Sequence, residues 1–101
     1  MLTLPIKKKW YDMILSREKK EEYREIKPYY TTRFKNIGLL SEKNEPTFLQ
    51  TEVIFRNGYS SNSPCFKALV TLRIRGGKEE WGAERGVSYY VLGIVEIRES
   101  D

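Results

Sequence analysis

The residues best suited to chemistry in this chain are Lys19, Glu22 and Arg24. Read as a strand over 21–26, the segment puts Glu22, Arg24 and Ile26 on one face and Glu21, Tyr23 and Glu25 on the other. Glu22 and Arg24 can then pair directly. A guanidinium held by a carboxylate keeps its planar fork in one orientation, ready for a phosphate or a base edge. Lys19, just ahead of the strand, is within reach of the same place as a phosphate contact. Desolvated beside Arg24, its ammonium would give up its proton more easily and become a candidate base or nucleophile. A plainer reading stands beside this one: Glu22 and Arg24 form a fold-locking ion pair, and Lys19 is simply exposed.

The rest of the composition narrows the chemistry. The chain has no histidine, which removes imidazole bases, Ser-His and Cys-His dyads and His-ligated metals. Its one cysteine, Cys65, can form neither an intrachain disulfide nor a thiolate metal site, and is expected to pack as a small apolar residue. No carboxylate cluster marks a magnesium site, so no cofactor and no metal are expected. Catalysis, if present, would fall to Lys, Glu, Tyr, Ser or Thr. Glu79, Glu80 and Glu84 are further candidate bases.

Charge is unevenly spread. The chain carries a net +4, yet residues 1–35 hold ten Lys/Arg against five Asp/Glu, while residues 36–101 hold eight against nine. A positive field over the N-terminal third favours a polyanionic partner. A solvated Lys/Glu surface is the bland alternative. At 101 residues and 40% hydrophobic content the chain can build one modest core, so a single domain over 1–101 is expected. No apolar run approaches a membrane span and the start runs straight into charge, which together with the lone cysteine points to a cytoplasmic protein.

The elements that must position the cluster are readable from periodicity. Leu2–Ile6 suits a first strand, at an edge because of Pro5. Ile6, Trp10, Met13 and Ile14 share a helical face, predicting a helix over 7 to about 16. Its basic first turn, Lys7 to Lys9, opposes the helix dipole mildly. Pro28 suits the start of a second helix over 28–37, with Tyr30, Phe34 and Ile37 inward and Gly38 as its C-terminal cap. Residues 40–46 read as an exposed loop. Strands follow over 51–56, 65–75 and 88–97. In the second of these Phe66, Ala68, Val70, Leu72 and Ile74 face inward. Gly93 marks a bulge or close contact in the last. The expected fold is α+β: a small barrel of about five strands with two short flanking helices.

Two stretches resemble a known family. Ile6 to Ser16 is similar to the first helix of ASCH domains, and Arg17-Glu18-Lys19-Lys20-Glu21-Glu22-Tyr23-Arg24 resembles that family's signature G-x-K-x-x-E-x-R. Arg17 replaces the family's glycine. The run from Glu22 to Tyr30 resembles the phage and prophage variant, and Tyr89 to Gly93 is similar to the family's final strand. The resemblance implies a PUA-like β-barrel with the motif lining a cleft beside the first helix. It also implies RNA binding, ribonuclease activity or hydrolysis of N4-acetylcytidine. In the hydrolytic branch the motif's Glu position is Thr, and here it is Glu22, which puts that reaction in doubt. A residue other than glycine at 17 can adopt the left-handed turn only at a cost of about 1 kcal/mol, so either the turn differs here or the strain is accepted.

The leading expectation is therefore an RNA- or nucleic-acid-binding domain. Lys19 and Arg24 would make the contacts, Glu22 would orient Arg24, and Lys7 and Lys9 would extend the rim. Tyr29 is the candidate for base stacking. Arg73 and Arg75 would extend a backbone-binding surface or pair with glutamates on a neighbouring strand. Trp10 is either core or a stacking platform at the cleft. The alternatives are a small RNA-processing enzyme using Lys19, and a phage-derived regulatory module that binds a nucleotide-like ligand or a protein. The sequence leaves oligomeric state open.

Overall fold

Hydrophobic periodicity sets the elements, and most fall where it predicts. The computed structural model describes residues 1–98 and orders them β1 (Thr3–Ile6), α1 (Lys8–Leu15), β2 (Glu21–Arg24), α2 (Pro28–Asn36), β3 (Thr51–Asn57), β4 (Cys65–Arg75), a 3-10 turn (Glu79–Trp81) and β5 (Tyr89–Arg98). The strands form one five-stranded sheet in the order β1-β3-β4-β5-β2. The β1–β3 pair is parallel and the others are antiparallel. The sheet curls into a half-barrel, an α+β arrangement with two helices as expected. No helix among the described residues is long and apolar enough to cross a membrane.

Alternation on the long strands builds the core. Phe66, Ala68, Val70 and Leu72 of β4 are buried and meet Val53 and Phe55 of β3 and Tyr90 and Leu92 of β5. Burying each large apolar side chain contributes about 1.5–3 kcal/mol. Ile74 departs from the expectation: it continues the inward alternation but is 42% exposed, because β4 there runs past the end of the core. The bulge also moves. Gly93 pairs regularly with Thr71 and Glu21, whereas the β4–β5 register shifts between Leu69 and Val70, leaving Val95 as the extra residue.

Helix α1 buries Tyr11 and Ile14, with Tyr11 packed at 5.0 Å against Phe66. The expected face of Ile6, Trp10, Met13 and Ile14 is therefore rotated. Ile6 belongs to β1, and Trp10 and Met13 lie at the margin, half-buried. Lys8 bonds Asp12 at 2.6 Å, which offsets part of the dipole conflict in the first turn. The helix ends at Arg17, whose φ of 74° is left-handed. Of the two alternatives, a different turn or an accepted strain, the second holds, and the Lys19 N–H closes the turn onto the Met13 carbonyl at 2.9 Å.

Helix α2 begins at Pro28 and ends in a Schellman turn. The Leu39 N–H bonds Phe34 O at 2.9 Å and the Gly38 N–H bonds Lys35 O at 3.1 Å. Gly38 supplies the left-handed residue this turn needs, with φ 84°. Phe34 and Leu39, the apolar pair of the turn, are fully buried. Leu40 is buried as well, so the exposed connection starts one residue later than expected. Strand β2 stops at Arg24 rather than 26, because the chain must turn into α2, and Ile26 is left 46% exposed.

Candidate functional site

Strands β1 and β2 are the two edges of the curled sheet, and they face each other. Arg24 Nη2 donates to Pro5 O at 2.8 Å across the gap. A cleft of about 850 Å³ opens there, walled by the β1–α1 corner on one side and by β2 and the 82–89 segment on the other. The strand alternation predicted for 21–24 delivers Glu22 and Arg24 to this side. The same guanidinium donates to Glu22 Oε2 at 2.9 Å and through Nη1 to the Tyr30 hydroxyl at 3.1 Å. Glu22 thus orients Arg24 as expected. Arg24 keeps two of its five N–H donors unused by the chain, one of them on Nε, which is buried without a partner.

Lys19 is placed by neither of the two sequence readings. It is 1% exposed, so it lies neither in the open cleft nor in solvent. Its ammonium donates to the Trp81 carbonyl, stands 3.3 Å from Glu22 Oε1, and lies 4.3 Å from the Trp10 ring and 5.1 Å from the Tyr23 ring. Burying an ammonium costs several kcal/mol, and the carboxylate, the carbonyl and two aromatic faces offset it. Burial still dominates and lowers the Lys19 pKa below its ordinary value; Glu22 pulls it back up, and Arg24 adds a smaller downward push. Lys19 does not line the cleft. It is a strut beneath it, tying β2 to the segment after β4.

That segment, residues 76–88, packs on the opposite face of the sheet. Buried Trp81, Ala83 and Val91 lie outside the main core cluster, and Val91 pairs with Tyr23 across β2–β5. The Tyr23 hydroxyl donates to Glu21 at 2.8 Å and accepts the Lys78 N–H at 2.9 Å. Burial, reinforced by Glu21, pushes the Tyr23 pKa up to about 12. Gly77 is required here by close approach: a Cβ on it would stand 2.4 Å from the Tyr23 ring. Arg75 pairs with Glu21, one of the two alternatives read from the sequence. Burial works upward on the Glu21 carboxyl, but Arg75 and Tyr23 hold it below its ordinary value.

The other sequence candidates divide. Lys7 lines the cleft; Lys9 does not, and instead covers Trp10 at 4.7 Å. Trp10 combines its two readings, covering Lys19 on one side and walling the cleft on the other. Tyr29 borders an adjoining recess of about 580 Å³, with the Arg33 guanidinium 3.4 Å from its ring centre. Arg73 lies over Phe48 at 5.2 Å, and neither it nor Arg75 reaches the cleft. Glu84 is at the cleft wall, whereas Glu79 is paired to Arg85 at 2.8 Å. Cys65 is half-buried. Among the described residues no group of three or more His, Cys, Asp or Glu is placed to hold a metal ion.

Sequence reasoning missed Tyr59. It is 90% exposed and lines both the cleft and the adjoining recess. Its only signal was an aromatic directly after the Asn57-Gly58 turn, inside a Ser/Asn-rich loop. No family model, curated protein or solved structure matches the chain.

Proposed function

We propose that the chain is a nucleic-acid-binding domain that works through the cleft between the β1–α1 corner and β2. The observation that carries this reading is Arg24, a guanidinium held in one orientation by Glu22 at the wall of an open cleft, with one Nη1 N–H to spare. Such a group suits a phosphate or a base edge. The resemblance of Lys19, Glu22 and Arg24 to the ASCH signature points the same way. Lys7, Lys8 and Lys27 stand on the rim, against Glu25 and Glu84. Lys8 is engaged by Asp12, and Lys27 stands 3.9 Å from Glu25, so Lys7 and Arg24 are the main phosphate contacts. The buried position of Lys19 fits this reading better than a catalytic one, because substrate cannot touch it.

Two or three phosphate contacts give a modest salt dependence, a slope of roughly −1.4 to −2.7 in log K against log salt. Titrating labelled RNA and DNA at several salt concentrations measures it. Lys7→Ala should flatten the slope by about 0.7–0.9 without unfolding the protein. Affinity that holds constant from low to moderate salt, or that is the same in Lys7→Ala and Arg24→Gln, would refute the proposal.

A further inference from the structure

The cleft is not an isolated cup. Its recess at Pro5, Arg24, Tyr30 and Tyr59 is shared with the 580 Å³ hollow, and Lys27 and Pro28 lead on to a third hollow of about 340 Å³ beside Thr31, Thr32 and Asn44. The three hollows are neighbours through these shared residues, and together they are termed the groove. Aromatic rings gather at its middle. Tyr30 is stacked below on Phe34 at 6.0 Å and meets Tyr29 edge-on at 5.0 Å, so its ring is fixed by packing. Tyr59 is held by nothing: at 90% exposure, no aromatic or cationic partner in the described residues covers its ring. A fixed ring and a free ring thus border the same hollow as Arg24, which has one Nη1 N–H unused.

From this arrangement we infer that the groove takes a single strand, with one unpaired base seated against Tyr30 and closed over by Tyr59, and with the flanking backbone following Lys7 and Lys27. The inference rests on the nucleic-acid reading above and narrows it. A flat, aromatic, hydrogen-bonding ring is the chemistry this hollow matches: π faces on the tyrosines and an N–H donor on Arg24. A duplex shows base edges in its grooves but hides the ring faces, because its bases are stacked on each other. The Arg24–Pro5 hydrogen bond also bridges the two walls at 2.8 Å.

The test is fluorescence anisotropy at one fixed salt concentration. The probes are a labelled mixed-sequence single strand, the same strand annealed to its complement, and an abasic strand of equal length, each as RNA and as DNA. The single strand is expected to bind at least about tenfold tighter than either the duplex or the abasic strand. Tyr59→Ala, an exposed change that leaves the core untouched, should cost the single strand about tenfold, whereas Tyr59→Phe and Tyr59→Trp should retain its affinity. A preference for one sugar names the source and supports the proposal equally. Duplex or abasic strand binding as tightly as the single strand, or Tyr59→Ala binding like the parent, overturns the proposal while leaving salt-dependent nucleic-acid binding intact. Absence of binding to every probe overturns both.

Discussion

Glu22 Oε1 lies 3.3 Å from Lys19 Nζ, with both side chains under a tenth exposed. Glu22 also holds Arg24, so two largely buried cations share one carboxylate, one oxygen each. Glu22→Ala would leave both uncompensated and should destabilise by about 3–5 kcal/mol in urea denaturation. Lys19→Met keeps the apolar stem and leaves Glu22 paired with Arg24. Its loss should be less than half as large. Equal losses would mean that the two cations do not share the carboxylate.

Arg17 offers a gain. Its φ of 74° is a conformation glycine adopts without penalty. Arg17→Gly should raise stability by about 1 kcal/mol, read as a higher urea midpoint with an unchanged slope.

Gly77→Ala should do the reverse. The added methyl would fall 2.4 Å from Tyr23 and 2.9 Å from the Ala83 Cβ, and a packed segment yields to this only by shifting. A loss of about 1–3 kcal/mol is expected. Gly77→Ala in a Tyr23→Ala background should cost clearly less, because the ring it meets is gone.

Above neutral pH two groups act with opposite sign. The folded-state pKa of Lys19 is lowered, so the unfolded chain binds the extra proton and stability rises as pH climbs toward 10.5. The folded-state pKa of Tyr23 is raised to about 12 from 10.0, so its contribution is complete below pH 10 and is lost as pH passes through 12. Denaturation midpoints against pH should therefore fall across that last window. The fall should be shallower in Tyr23→Phe, and Lys19→Met should lack the earlier rise.

Local physics was legible in the sequence and long-range placement was not. Gly38 as a cap and the pairing of Glu22 with Arg24 two residues on each follow from backbone geometry within a few residues, while the turn at Arg17 was suggested by the resemblance to the ASCH signature. Lys19 could not be placed this way, because its principal partner is the Trp81 carbonyl, 62 residues further along the chain. The position of Val95 as the bulged residue depends on a register shared with Leu69 and Val70, which alternation on one strand does not reveal. Trp10 and Met13 carried the right period but the wrong face, since Tyr11 gains more by meeting Phe66. Tyr59 borders the cleft only because the curled sheet brings β1 and β2 beside it, which its own sequence surroundings do not reveal.

The Arg24–Pro5 bond has a consequence for assembly. Sheet edges are where foreign strands add and aggregates begin. Here both edges turn toward one cleft, and one of them carries a proline with no N–H to offer. Between β1 and β2 a second chain could extend this sheet only by entering the cleft and prising a guanidinium from its carbonyl. The device that holds the groove together therefore also keeps this part of the sheet from acting as a template.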